Sequence, residues 1–522
     1  MAYDVLIKNG AIFDGEGSKT LTADLGIKGE MIAEIGKISG GEKVIDAQGK
    51  FVTPGFIDLT NHSDTHLGIF KYPALDSLVM QGITTIIGGN CGSSLAPLAS
   101  PKAIDSIRKW ADPSQININW ATMVEYLTEV GNMRLGVNYG TLIGYGTLRR
   151  GVIGDESRPL GLEEREKVKY LLQQGMKEGA FGLSLGLAYG HERVSATEEI
   201  IEIGRALIET WGVIKIHLRS EGKELIASVS EAVRIGRETS IPIEISHLKA
   251  IGKKSWPTMK NALEIINNAV SSGVNVNFDV SPYHTTGSLL YLLIPSWARG
   301  GGFSDLFQRL NDPWQKEKII AELKENTLHY DKILVVAAKI TSITGKTLAE
   351  IAENLSMPPE EALVETVKAN EGRVTIIGKT VSPANTRLAL KDPNSFVASD
   401  GAGYGQNEER SGNLVHPRSF GTFPHFWHKF VMEQGLLSTE EAVKKMTYGP
   451  AQKIGIPKRG SLKKGNFADI VIFDPAFFRD RANYHNPYRY PAGIEYVIIN
   501  GKLAVENGKY LGGRFGRVLR KI

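Results

Sequence analysis

A chain of 522 residues exceeds what one ordinary core holds and implies several domains or a large barrel with additions. Its 61 basic and 57 acidic residues leave a net charge of +4, too balanced to argue for nucleic acid, and no run of about 18 apolar residues is available to span a membrane. A single cysteine excludes a disulfide framework, and the N-terminus lacks the basic and apolar regions of a secretory signal, so the expected compartment is the cytoplasm.

Residues 1–55 read as β-structure. Val5-Leu6-Ile7 runs into Asn9-Gly10, a favoured hairpin turn, and short strands follow around Asp24–Ile27, Met31–Ile35 and Lys43–Asp46. From Phe56 the pattern changes to alternating strands and helices. Strands are expected at Phe56–Asp58, Thr84–Gly88, Gly136–Ile143, Gly179–Leu183, Val213–His217, Ile241–Ser246, Val274–Val280 and Phe396–Ser399. Helices such as Leu162–Glu178, Ala196–Thr210, Leu225–Thr239 and Met259–Ser272 separate them. This alternation predicts an α/β fold, a (β/α)8 TIM-like barrel over 56–454.

Between the seventh and eighth strands lie further helices, Trp314–Asn326, Thr347–Asn354 and Pro359–Ala369, and the apolar run Ile333–Ala338. They predict an inserted subdomain, 289–380, able to cover the barrel mouth. The chain then returns to strands at Ala468–Phe473 and Tyr496–Ile499, with a hairpin at Asn507-Gly508. Neither terminal piece has enough strands for a sheet of its own, so 1–55 and 455–522 are expected to form one composite β-sandwich. Arg514, Arg517, Arg520 and Lys521 read as a solvated basic tail.

The chemistry-bearing residues fall at strand ends. Cys91 closes the run Thr84–Gly92; alone, it is either a small buried apolar residue or a functional thiolate. Its company favours the second. Asp58 and His62 follow the first barrel strand, His217 the fifth, His247 the sixth and Asp400 the eighth. Barrel active sites are built at the C-terminal ends of the strands. A thiolate, imidazoles and carboxylates at that end suit a zinc site assembled from distant parts of the chain.

Phe51–Asp58, Gly89–Leu98 around Cys91, Gly179–Tyr189, His217–Gly222, Ser246–Lys249, Ser399–Gly401, His416–Pro424 and Lys458–Pro475 together resemble the motifs of the D-aminoacylase, or N-acyl-D-amino-acid deacylase, family of the amidohydrolase superfamily. The resemblance implies a metal-dependent barrel with a β-sandwich from both termini. It implies zinc bound by Cys91, His217 and His247, where a cysteine replaces the carboxylated lysine of most dinuclear relatives. The implied activity is hydrolysis of the amide bond of N-acyl-D-amino acids, with a zinc-activated water as nucleophile and Asp400 as general acid and base. Arg418, Lys249, Tyr283 and Ser288, with Tyr189 nearby, are implied to receive the small-molecule substrate and its α-carboxylate. Another amidohydrolase reaction on the same scaffold, such as opening or closing a cyclic amide, is the alternative, with a non-catalytic metal-binding protein as a third.

The chain departs from the family in three places. The family's first strand ends in His-x-His, and here the run is Thr60-Asn61-His62. Threonine is a poor zinc ligand, so one tightly bound zinc is expected, the second position is expected to be lost, and His62 is left to hydrogen-bond water or substrate. His66 is expected in a loop facing solvent or substrate. Tyr145 stands where the family has the histidine of Gly-His-Gly, and either retunes substrate choice or packs passively. Ser281–Ser288 runs one residue longer than the family pattern.

Overall fold

The computed structural model describes residues 3–325 and 328–521. Eight barrel strands form, at Phe56–Asp58, Ile83–Gly88, Asn138–Thr141, Gly182–Gly186, Val213–His217, Ile243–Ile245, Val276–Val280 and Ser395–Val397. Neighbours in this series pair in parallel, the third strand reaching the fourth through its continuation Ile143–Gly144. The ring closes from eighth to first through an Asn61–Gly401 bridge, and the amide of His62 donates to the Gly401 carbonyl at 2.8 Å. The fourth strand starts later than the expected Gly179. That glycine takes φ +116 just beyond the helix Leu162–Lys177, so the backbone is still turning there.

The helices follow their apolar spacing. Thr258–Ser271 buries Met259, Ala262, Leu263, Ile266 and Ala269, one stripe at three- and four-residue intervals. Leu225–Thr239 buries Leu225, Val229, Ala232, Val233 and Gly236, and stops where Ser240 turns left-handed at φ 59. The expected helix end at Asn326 lies outside the described residues, and that helix runs Pro313–Glu325.

Strands from both ends of the chain share one nine-stranded sheet. Its junction is the antiparallel pair Phe51–Pro54 with Ile470–Phe473. The strand Tyr3–Ile12 changes partner halfway, pairing with Gly41–Asp46 over its first part and with Phe51–Pro54 at its end. Such a switch turns the corner of a sandwich. Val5, Ile7, Ile27 and Val52 share a buried core with Ile470, Ile472 and Ile498. Neither end holds that core alone.

Between the seventh and eighth barrel strands, Thr286–Leu289, Ile333–Ala338 and Val374–Gly378 form a separate antiparallel sheet flanked by helices. Its core contains Leu290, Tyr291, Leu306 and Leu363, and also Cys91 and Tyr189 of the barrel. This sheet and the barrel mouth are therefore packed as one.

The basic C-terminal segment is not a solvated tail. Val518 bridges Tyr139 of the third barrel strand, and the amide of Leu519 donates to the Tyr139 carbonyl at 2.7 Å. Arg520 caps the Glu178 carbonyl at 2.7 Å and Arg514 the Met133 carbonyl at 3.2 Å. The basic side chains close helix ends while the apolar residues between them pack. Among the described residues, no helix is long and apolar enough to cross a membrane.

Candidate active site

The barrel brings Cys91, His217 and His247 together, with one donor atom of each within 4.8 Å of the others, all buried. Cys91 Sγ lies 3.5 Å from His247 Nε2 and 4.0 Å from His62 Nε2. A tetrahedral zinc with Zn–S of about 2.3 Å and Zn–N of about 2.0–2.1 Å separates sulfur from nitrogen by roughly 3.6 Å, so the spacing fits. Burial raises the Cys91 thiol, but His217, His247 and His62 outweigh it and hold the thiol well below its ordinary value. Burial also opposes ionisation of Asp400, yet Arg418, His247 and His62 keep its carboxyl well below the carboxylate range. Against burial, these anions push His62 up to about 9 and His247 up to about 10. Buried donors that favour positive charge in their midst, one of them a thiolate, suit a divalent zinc ion.

The backbone is bent to present these groups. Cys91, His247 and Asp400 have φ of 54°, 39° and 52°. Non-glycine residues rarely adopt the left-handed region, and such strain gathers at functional sites. Each of the three lies two or three residues past the end of its strand, in the turn that follows.

Two supporting layers were not expected from the chain. Glu221 Oε1 lies 2.9 Å from His247 Nδ1, which orients the ring with Nε2 toward Cys91. Its signal lay four residues after His217, inside a motif already singled out. Beneath the site Lys215, Glu244 and Asp279 are fully buried. Lys215 Nζ donates to Glu244 at 2.8 Å and to Asp279 Oδ2 at 2.6 Å. Asp279 Oδ1 accepts from the His247 amide at 2.6 Å, so this carboxylate pins the strained residue. Parallel barrel strands usually read as continuous apolar runs, and a Lys, a Glu and an Asp inside three of them were the available signal.

Thr60 joins this layer. Its hydroxyl donates to the same Asp279 oxygen that Lys215 contacts. Removing the lysine leaves two carboxylates buried without their cation. Lys215→Ala is therefore expected to lower the unfolding free energy by about 3–5 kcal/mol in urea titrations, and an unchanged midpoint would exclude the network as a stabilising element.

On one side of the donor cluster lies a small cavity lined by His247, Lys249, Tyr283, Asp400 and Arg418. Arg418 Nη1 pairs with Asp400 at 2.5 Å, leaving Nη2 and Nε for other acceptors. Lys249 Nζ pairs with Glu221 at 2.6 Å, and the Tyr283 hydroxyl is buried with no partner. Asp400 Oδ1 is 3.3 Å from His62 Nε2. Ser288 is not brought into this cavity. It pairs with Ile376 in the separate sheet, and the neighbouring Gly287 is the residue facing Arg418.

Tyr189 lies outside that cavity, its ring 5.0 Å from that of His217. Trp110 meets it edge-on at 5.7 Å and lies 5.6 Å from His62. Lys109 Nζ sits 3.9 Å from the Tyr189 ring centre and 4.2 Å from that of Trp110. His66 is partly exposed beside His62 and Trp110. Asp58 is fully buried and accepts from the amide of Ser399 at 2.8 Å, so it ties the first strand to the eighth rather than facing the donors. Tyr145 packs passively. It is buried with its hydroxyl on Glu199, beside the Arg149–Glu199 pair at 2.8 Å.

A model of the amidohydrolase family matches residues 361–505. The chain is 30% identical to the D-aminoacylase of Alcaligenes xylosoxydans xylosoxydans, over 99% of this chain and 98% of that protein. It is 31% identical to the N-acyl-D-aspartate deacylase of the same organism, over 99% and 95%. A crystal structure of D-aminoacylase superposes with a TM-score of 0.84 at 29% identity, covering 99% of this chain and all of the other. The N-acyl-D-glutamate deacylase of Bordetella bronchiseptica, solved with zinc and a phosphonate mimic of the tetrahedral intermediate, gives 0.84 at 28% identity over the whole of both chains. D-hydantoinase, at 16% identity and a TM-score of 0.56 over 99% of each chain, shares the fold alone. The chain belongs to the D-aminoacylase, or N-acyl-D-amino-acid deacylase, family of amidohydrolases, enzymes acting on C–N bonds other than peptide bonds.

Proposed function

We propose that the protein hydrolyses the amide bond of N-acyl-D-amino acids with one zinc ion per chain. The observation that carries this is a cavity where Arg418, Lys249 and Tyr283 stand beside Asp400 and the Cys91–His217–His247 cluster. Cys91, His217 and His247 would hold Zn²⁺, which supplies Lewis-acid polarisation of the scissile carbonyl and acidifies a water. Asp400 takes the proton of the attacking water and delivers it to the leaving nitrogen as the C–N bond breaks. His62, against Asp400 Oδ1, steadies that carboxylate and the water it faces. Arg418 Nη2, Lys249 and the unpaired Tyr283 hydroxyl receive the α-carboxylate. Carboxylate anchor, carbonyl position and side-chain pocket define three directions around the α-carbon, which is enough to discriminate its hand.

The single-zinc stoichiometry draws support from Thr60. Its hydroxyl is committed to Asp279, and the Lys215 ammonium lies within two hydrogen bonds of it. A fixed cation there opposes a second divalent ion. The test is a screen of paired D and L N-acyl-amino acids with metal content measured in parallel. One equivalent of zinc and at least a ~10²-fold preference for the D hand are expected, a ratio set by about 2.7 kcal/mol of differential transition-state binding. Two equivalents would refute the stoichiometry, and equal rates on both hands the substrate assignment.

A further inference from the structure

Arg418 and Lys249, the cations of the first cavity, are each paired with a carboxylate of this chain. Lys109 is different. Its Nζ donates to Ser93 Oγ at 2.9 Å and rests on the rings of Tyr189 and Trp110. Among the described residues no carboxylate lies within ion-pairing distance of it. Glu192, whose charge acts on it most, accepts from the Gly186 amide at 2.6 Å, and Arg150 repels it. Lys109 and Trp110 are partly exposed as residues, but the ammonium itself is desolvated: burial, ahead of every charge around it, pushes Lys109 down to about 7. The two rings that hold it also abut His217 and His62. The cation thus lies outside the cavity of Arg418 and Lys249 and approaches the donor cluster through the rings on His217 and His62.

We propose that Lys109 is a specificity-determining residue that receives a second carboxylate of the substrate. The proposal rests on the deacylase reading of the same site. A substrate whose α-carboxylate lies at Arg418 and Lys249 extends its remaining groups across the cluster toward Tyr189 and Trp110. An ammonium held there by rings and one hydroxyl is penalised by its burial, and a substrate carboxylate beside it would favour its charged form. The second carboxylate belongs either to an acidic amino-acid side chain or to a dicarboxylic N-acyl group, two sources with one chemistry.

The experiment compares kcat/KM for N-acetyl-D-glutamate against N-acetyl-D-glutamine, and for N-succinyl-D-leucine against N-butyryl-D-leucine, in the zinc-loaded wild type, Lys109→Met and Lys109→Arg. The wild type is expected to favour the dicarboxylate in one pair, which names the source. Lys109→Met is expected to cut that ratio by about 30-fold or more, and Lys109→Arg to restore most of it. No preference in the wild type, or ratios unchanged by Lys109→Met, would overturn the proposal. Calorimetric titration of the same compounds runs beside the kinetics. Absence of turnover on every compound then counts against the deacylase reading, while the ratio of affinities still decides the role of Lys109.

Discussion

Cys91→Ala is expected to yield a folded protein that carries no zinc and turns over at least roughly 10³-fold more slowly. Losing a mere supporting partner of a metal ligand costs about 10–100-fold, and a donor atom itself costs more. The substitution is small in every other respect. Cys91 is 2% exposed, and replacing its sulfur leaves a cavity worth about 1 kcal/mol. It also removes the anion that favours positive charge on His62 and His247. Metal analysis after dialysis, with circular dichroism as the folding control, reads both effects. Full zinc and full turnover in this variant would dissolve the proposed donor set.

Asp400→Asn separates binding from chemistry. Asparagine keeps the shape and still accepts from Arg418, but cannot take up the proton of the attacking water. Zinc content is expected to stay at the wild-type level while kcat falls by a factor of about 10² or more. KM is expected to change less, because Arg418 keeps Nη2 for the substrate in either case. Wild-type kcat in this variant would remove Asp400 from the proton path. Loss of zinc together with kcat would instead make it a ligand.

The barrel is legible in the chain because its strands bury both faces and its helices bury one, two patterns that differ in period. The donor cluster is legible because ligand types fall at the C-terminal ends of separate strands. What escapes has physical causes. Ser288 lies in a strand of the separate sheet, paired with Ile376, and that long-range pairing leaves no local pattern in the chain. Lys109 and Trp110 lie in irregular backbone, where no periodicity announces a direction. Asp58 is a carboxylate at a strand end like Asp400, but φ at Asp400 is 52° while Asp58 lies within a strand. That backbone difference sends one toward the donors and the other into the barrel seam. The basic C-terminal residues suggest a free tail only while the apolar residues between them go uncounted.

Cys91, His247 and Asp400 share a left-handed backbone, a conformation glycine adopts without penalty. On the proposed roles, replacement by glycine at any of these positions would relax the main chain and remove a metal donor or the base. A search for sturdier variants by thermal challenge alone therefore drifts toward inert proteins at these codons. Selection must reward turnover at every round, because at these positions endurance and reactivity pull in opposite directions.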